Sequence, residues 1–280
     1  MRLKVLSLFL AVQFASFALW QGVHAWEQKK EPKPVVIASE SALSVPALSD
    51  SHEAAKPKLS KIRFSESSDG KNYQPLGSDR KEELIEVISK LPSEHASTLR
   101  NLVLDNNPKA GRGLGGRSLI ILRGVNMEAG EMAAVLIHEI GHNVDLGFLV
   151  EKNTVTPSEF KDGRSLVYEG DLSLDFYRIS WTNENTRNKT AGNFDFVSGY
   201  AMTDPFEDFA ESYVYYVLHN QDFKSKAQTS DALYQKYEYM KNMVFKGRVF
   251  ATGETNPDDL NRRPWDITVL NYDLNSFLNS

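Results

Sequence analysis

The chain has 280 residues, 32 Lys plus Arg against 37 Asp plus Glu for a net charge of −5, and no cysteine. That length suits one or two domains with a packed core, and 41% hydrophobic with 25% charged residues excludes a fully disordered chain, a collagen-like repeat and a disulfide scaffold. Without thiols any metal must be held by nitrogen and oxygen ligands, and the acidic balance gives no support to a nucleic-acid partner.

Arg2 and Lys4 precede an apolar run from Val5 to Trp20, and Val23-His24-Ala25 supplies small residues for a cleavage site. This is the pattern of a secretory signal peptide over residues 1–25. The run falls short of the roughly 20 apolar residues that span a bilayer, so stable membrane insertion is not expected. Cleavage after Ala25 would leave a secreted or periplasmic chain with 30 basic and 37 acidic residues, a net −7. Burial, not disulfides, must then hold it together. Residues 26–60 are Lys-, Pro-, Ser- and Ala-rich, as in Glu31-Pro32-Lys33-Pro34, and read as a flexible tether or pro-segment. Alternation returns at Lys61-Ile62-Arg63-Phe64, so residues 61–280 are expected to form the folded domain.

Leu84, Ile85, Val87, Ile88 and Leu91 predict an amphipathic helix over Lys81–Leu91, stopped by Pro92. Ser97–Leu104 fits a short helix or a strand equally well. Gly111-Arg112-Gly113-Leu114-Gly115-Gly116 reads as a turn-rich loop, and Ser118–Arg123 as a buried strand. The glycines lack a Gly-Lys-Ser/Thr ending and precede the strand, so a phosphate loop is a poor fit. Glu128–Leu146 is the next helix, with Gly147 as its stop. Residues 150–180 are mixed, and Trp181–Asn193 is polar enough for a surface insertion whose Asn188-Lys189-Thr190 sequon is read as unmodified. Pro205 opens a helix to about Leu218, a further helix runs from Asp231 to Phe245 and closes at Gly247, and the last 30 residues are irregular and expected to wrap back on the domain. The fold class is α+β: a small twisted sheet beside one central helix, with a mainly helical second half.

That central helix carries His138-Glu139-Ile140-Gly141-His142. Residues i and i+4 share a helix face about 6 Å apart along the axis, so both imidazoles can reach one Zn²⁺ at about 2.0–2.1 Å. Glu139 lies about 100° round the helix and is placed to take a proton from water rather than to ligate. A third ligand is required. The metzincin pattern would need histidine at Phe148 and glycine at Asp145, which excludes that class. Downstream, Phe206-Glu207-Asp208-Phe209-Ala210-Glu211 offers Glu207 and Glu211 one turn apart. Acidic residues at a helix start are often simply dipole complements, but beside a His pair that lacks its third ligand they are candidates. Glu211, with Asp208 and Asp145 as alternatives, suits the acceptor for the second N–H of a ligating histidine. Among the other histidines His219, at a helix end, is a weaker candidate ligand. His24 lies in the leader, His52 in the tether and His95 in a polar turn.

His138-Glu139-Ile140-Gly141-His142, followed by Tyr200 and then by Glu207-Asp208-Phe209-Ala210-Glu211, resembles the lethal-factor-like gluzincin zinc peptidases, the family of the anthrax lethal factor catalytic domain and the secreted Pro-Pro endopeptidases. The resemblance spans roughly Leu99–Asn220. It implies a zincin-like fold and one Zn²⁺ per chain held by His138, His142 and Glu207. It further implies Glu139 as general base, Tyr200 as the phenol that stabilises the oxyanion, and Glu211 as the carboxylate behind a ligating histidine. The implied activity is that of a secreted metalloprotease acting on a protein or peptide substrate, and the chain is expected to be a monomer. The long polar insertion before Tyr200 and the N-terminal tether depart from the family pattern. A non-catalytic zinc-stabilised binding protein and a zinc amidase acting on cell-wall material are the alternatives. Ser198-Gly199 before Tyr200 suggests a flexible approach, and the Ser118–Arg123 strand is either interior or an edge that an extended peptide could join.

Overall fold

In the computed structural model the described residues are 62–67, 78–105, 111–123, 127–150, 154–254 and 262–279. The leader and the 26–60 segment lie outside them. Strands β1 (Arg63–Ser67), β2 (Asn101–Asp105), β3 (Gly113–Gly116) and β4 (Leu119–Leu122) form one sheet in the order β1-β2-β4-β3. β1 and β2 pair in parallel, as do β2 and β4, whereas β3 returns antiparallel to β4. Parallel pairing of β1 and β2 needs a crossover, and helices α1 (Ser78–Ser89) and α2 (Ser93–Ala96) provide it. Leu84, Val87 and Ile88 of α1, and Leu91 after it, are buried at the predicted spacing.

The structure resolves the ambiguity over Ser97–Leu104 as a turn followed by β2, whose Leu102 and Leu104 face the core. Two expectations are corrected here. Gly113–Gly116 is a strand, not a loop. Glycine packs no side chain, so no local signal favours a strand, and pairing with β4 supplies it. β4 is interior, between β2 and β3, and only half buried, with Ile120 and Leu122 inward and Leu119 exposed. The sheet edge beside the central helix therefore belongs to β3. The β3–β4 turn holds Arg117 and Ser118 at φ 47° and 85°, the left-handed pair that a tight hairpin requires. Asn143 Oδ1 accepts the Gly116 and Ser118 N–H groups at 2.9 and 3.3 Å, fastening this turn to the end of the central helix.

Helix α3 (Ala129–Asn143) is buried along nearly its whole length from Met132 onward. It does not stop at Gly147. A π-helical turn, Val144–Phe148, continues it, and Leu149 N–H closes that turn on Val144 O at 3.0 Å. The mixed segment resolves into a hairpin of β5 (Pro157–Asp162) and β6 (Ser165–Tyr168), then helix α4 (Ser173–Ser180). The polar insertion is a second small hairpin, β7 (Trp181–Asn183) with β8 (Thr186–Arg187), and one end of it is not surface. Trp181 is buried and donates its Nε1–H to Asp208 at 3.0 Å. The side-chain amide of Asn188 donates to the carbonyls of Arg178 and Ile179.

Helices α5 (Pro205–Leu218), α6 (Asn220–Lys226) and α7 (Asp231–Tyr239) follow, with a π-helical turn, Met240–Val244, after α7. Gly247 closes it at φ 86°. The C-terminal stretch, ending in α8 (Leu274–Leu278), wraps back, with Tyr272 Oη donating to Gly130 O at 2.8 Å. The observed class is thus mixed α+β, with small sheets and several helices.

Helices α3 and α5 pack directly on each other. A Cβ on Gly141 would sit 3.2 Å from both Ala210 Cα and Tyr213 Cβ, so the glycine inside the His motif is what lets the two backbones approach. Gly141→Val is expected to cost about 1–3 kcal/mol by overpacking, and denaturant titration of the variant checks it.

His95 is not in a polar turn but fully buried, its ring against Phe148 and Phe245. Nε2 faces the Val244 carbonyl at 3.0 Å, so it carries the proton, and Nδ1 at 2.9 Å then accepts from Tyr213 Oη. Burial lowers its pKa from 6.5 to about 4. The unfolded chain takes up this proton near pH 6.5 and the folded chain only near pH 4. The contribution is therefore complete above pH 6.5 and is lost as pH falls to 4, by about 3 kcal/mol. His95→Gln is expected to be less stable than the parent at pH 7.5, with that gap shrinking at pH 4.5. Chemical denaturation at the two pH values measures it.

Candidate metal centre

His138 and His142 project from the buried C-terminal half of α3, their ring centroids 4.9 Å apart. The third group comes from the first turn of α5. Asp204 caps that helix by accepting the N–H groups of Phe206 and Glu207 at 3.0 and 2.9 Å, and Pro205 presets the first helical residue. The cap orients Glu207 toward the histidines, with Glu207 Oε2 at 3.2 Å from His138 Nε2 and 3.4 Å from His142 Nε2. One ligand atom from each of the three residues lies within 4.8 Å of the others, and this group could hold a metal ion.

The donor set fits zinc. Glu207 Oε2 is buried without a hydrogen-bond partner although two ring nitrogens face it, an arrangement that a shared cation satisfies. Burial pushes the Glu207 carboxyl up, but the adjacent imidazoles outweigh it and hold it well below the usual carboxylate range. Burial likewise opposes charge on His138 and His142, and the neighbouring carboxylates more than compensate.

Behind the candidate ligands, His138 Nδ1 lies 3.0 Å from Glu211 Oε1, and Glu211 Oε2 accepts the Ile267 N–H at 2.9 Å. Glu211 is fully buried, so it fixes the imidazole's tautomer and orientation from within the core. The alternatives are engaged elsewhere. Asp208 pairs with the buried Lys236 at 2.7 and 2.9 Å, and Asp145 accepts from Tyr177 Oη at 2.7 Å. His219 stands outside the metal group, its ring against Tyr215 and Tyr272 and its Nε2 buried without a partner.

Glu139 is 6% exposed and lines a cleft of about 630 Å³ together with His138, His142 and Glu207. Burial raises its pKa, opposed by His138 and His142. Its carboxylate occupies the space left by Gly113 and Gly115. A Cβ on Gly115 would fall 2.6 Å from Glu139 Oε2 and 2.7 Å from its carbonyl, and one on Gly113 would overlap the same carboxylate. The alternating glycines of β3 are thus a seat for the Glu139 carboxylate, a role that the loop expectation missed. Their Gly-x-Gly-x spacing was the available signal, because period 2 puts both on one face of a strand.

Tyr200 opens a 3₁₀ turn, Tyr200–Met202. Its ring stacks on His138 with centroids 6.2 Å apart, and its Oη lies 3.1 Å from Glu207 Oε1. Burial and the Glu207 charge both raise its pKa, so the phenol keeps its proton and can donate. Its approach is not flexible. Ser198 is fully buried and accepts the Ala201 N–H, while Gly199 and Tyr200 donate to the carbonyls of Pro264 and Trp265 at 2.9 and 2.6 Å. Also unforeseen were the Asp204 cap and the 264–268 segment, which contribute Asp204, Trp265, Asp266 and Thr268 to the cleft lining. Asp204-Pro205 was legible as a cap signature, whereas the distant segment left no local trace.

Compared with known proteins, the sequence matches no protein-family model and no curated protein. Among the described residues no helix is long and apolar enough to cross a membrane.

Proposed function

We propose that this protein is an exported zinc endopeptidase with zincin-like packing of a sheet edge against its His-Glu-x-x-His helix. One observation carries the reading: Glu207, from a separate helix, meets His138 and His142 at the cleft into which Glu139 projects. His138, His142 and Glu207 would hold the ion. Zinc bound there supplies Lewis-acid polarisation of a carbonyl and a lowered pKa for its water.

The chain's own groups supply the rest. Glu139 takes the proton of the attacking water, for which the burial that raises its pKa makes it a stronger base, and then passes that proton to the leaving amine. Tyr200 donates its phenolic proton in a hydrogen bond to the developing oxyanion, an interaction that grows stronger as charge accumulates. Glu211 holds the His138 ring in place through Nδ1. A buried acid seated beside the ion on two glycines supports turnover over a purely structural metal, which needs no base.

The test is to purify residues 26–280, measure zinc per chain and profile cleavage of a diverse peptide library with and without chelator. One zinc per chain and chelator-sensitive cleavage are expected. Zinc bound without any peptide cleavage would leave a binding protein or a cell-wall amidase in its place.

A further inference from the structure

Trp265 lines the same cleft as the metal group, yet it is 71% exposed. A large aromatic left in water beside a reaction site, and fixed in place, has the properties of a binding anchor. Fixed it is. A Cβ on Gly199 would lie 2.5 Å from Trp265 Cε3 and 3.0 Å from Cζ3, so the indole rests on that glycine. The backbone bonds from Gly199 and Tyr200 to Pro264 and Trp265 tie its segment to the residue that bears the phenol. Asp266 is paired with Arg112 at the start of the β3 stretch and accepts the Thr268 N–H at 2.7 Å. The Asp266 carboxylate is thereby already engaged, and Arg112 is shared with Glu131 at 2.8 Å, which leaves the exposed indole as the large apolar group of this segment. Ile267, two residues on, bonds Glu211 behind His138, so the same short segment joins the cleft wall to the ligand support.

From this geometry we infer that Trp265 is a specificity-determining residue: its indole forms the subsite for a large apolar side chain, aliphatic or aromatic, next to the scissile bond of an extended peptide. The inference deepens the peptidase reading and rests on it. Because one face of the indole is already packed against Gly199, less side-chain entropy is lost when a substrate side chain covers the other.

The experiment profiles wild type, Trp265→Phe and Trp265→Ala against peptides that carry Leu, Phe, Gly or Ser at each position flanking the cleaved bond. Wild type should prefer Leu and Phe over Gly and Ser at one position. In Trp265→Ala that preference should fall by about tenfold or more, mainly through KM, and Trp265→Phe should restore most of it. Independently, zinc-loaded Glu139→Gln should change its tryptophan fluorescence on binding an uncleaved apolar peptide, and the added Trp265→Phe change should abolish that signal. A wild type that cleaves peptides while Trp265→Ala keeps the same preference overturns the subsite but not the peptidase. Equal loss for all four residues does the same, since it marks a purely structural role. A wild type that cleaves no peptide overturns both.

Discussion

On the proposed peptidase reading, Glu139→Gln is expected to lower peptide turnover by about 10²- to 10⁴-fold, the usual worth of a positioned general base, with one zinc per chain retained. The physical separation of the two functions is unusually clean at this position. Glu139 contributes no atom to the group that could hold a metal ion, His138, His142 and Glu207. Glutamine has nearly the same shape as the carboxylate and fits the seat left by Gly113 and Gly115, so β3 and α3 need not move. Removing a buried carboxylate whose pKa burial has already raised should leave stability unchanged or slightly higher. Zinc per chain, thermal midpoint and kcat, measured on one preparation, check the three statements together. Intact cleavage by Glu139→Gln would falsify the assigned mechanism whatever the zinc content.

Glu207→Ala should fail earlier, at metal binding. Loss of a carboxylate merely supporting a ligand typically costs 10- to 100-fold in metal affinity, so loss of the ligand itself should exceed about 100-fold. Glu211→Ala should fall within the lower range. The fold is expected to survive the first change, because the Asp204 cap receives the Glu207 backbone N–H rather than its side chain. The carboxylate is also 19% exposed at the start of α5, not embedded in the core. Zinc titration against a competing chelator ranks parent, Glu211→Ala and Glu207→Ala, and far-UV circular dichroism controls for folding. If Glu207→Ala bound zinc as tightly as the parent, the third ligand would have to be sought elsewhere in the cleft.

Each of these positions was visible before any fold was known, for a local reason. His138, Glu139 and His142 are related by the helix repeat alone, and their apolar lead-in marks a buried helix. Glu207 and Glu211 show the same one-turn spacing, and Tyr200 came from the resemblance of its motif. What the local pattern could not supply was the choice among Glu211, Asp208 and Asp145, since all three are acids at plausible distances along the chain. Partners far away in sequence decided it. Lys236 and Trp181 engage Asp208, Tyr177 engages Asp145, and Ile267 leaves Glu211 facing His138.

His95 and the β3 glycines misled for the same reason in opposite senses. His95 sits among polar neighbours in sequence, yet α5 and the turn after α7 enclose it and satisfy both ring nitrogens. Gly113 and Gly115 look like turn residues, yet β4 pairs with their backbone while Glu139 fills the space that their missing side chains leave.

The sequence alone located the longer helices α1, α3, α5 and α7 and the nitrogen and oxygen side chains that could hold a metal, because helical periodicity and metal-donor chemistry act over a few residues. Only the tertiary structure decided that β3 forms the sheet edge, that Gly141 sets the approach of α3 to α5, and that residues 264–268 close one side of the cleft. Those outcomes depend on close packing and hydrogen bonding between segments up to about half the chain apart, and no short window of residues encodes contacts of that range.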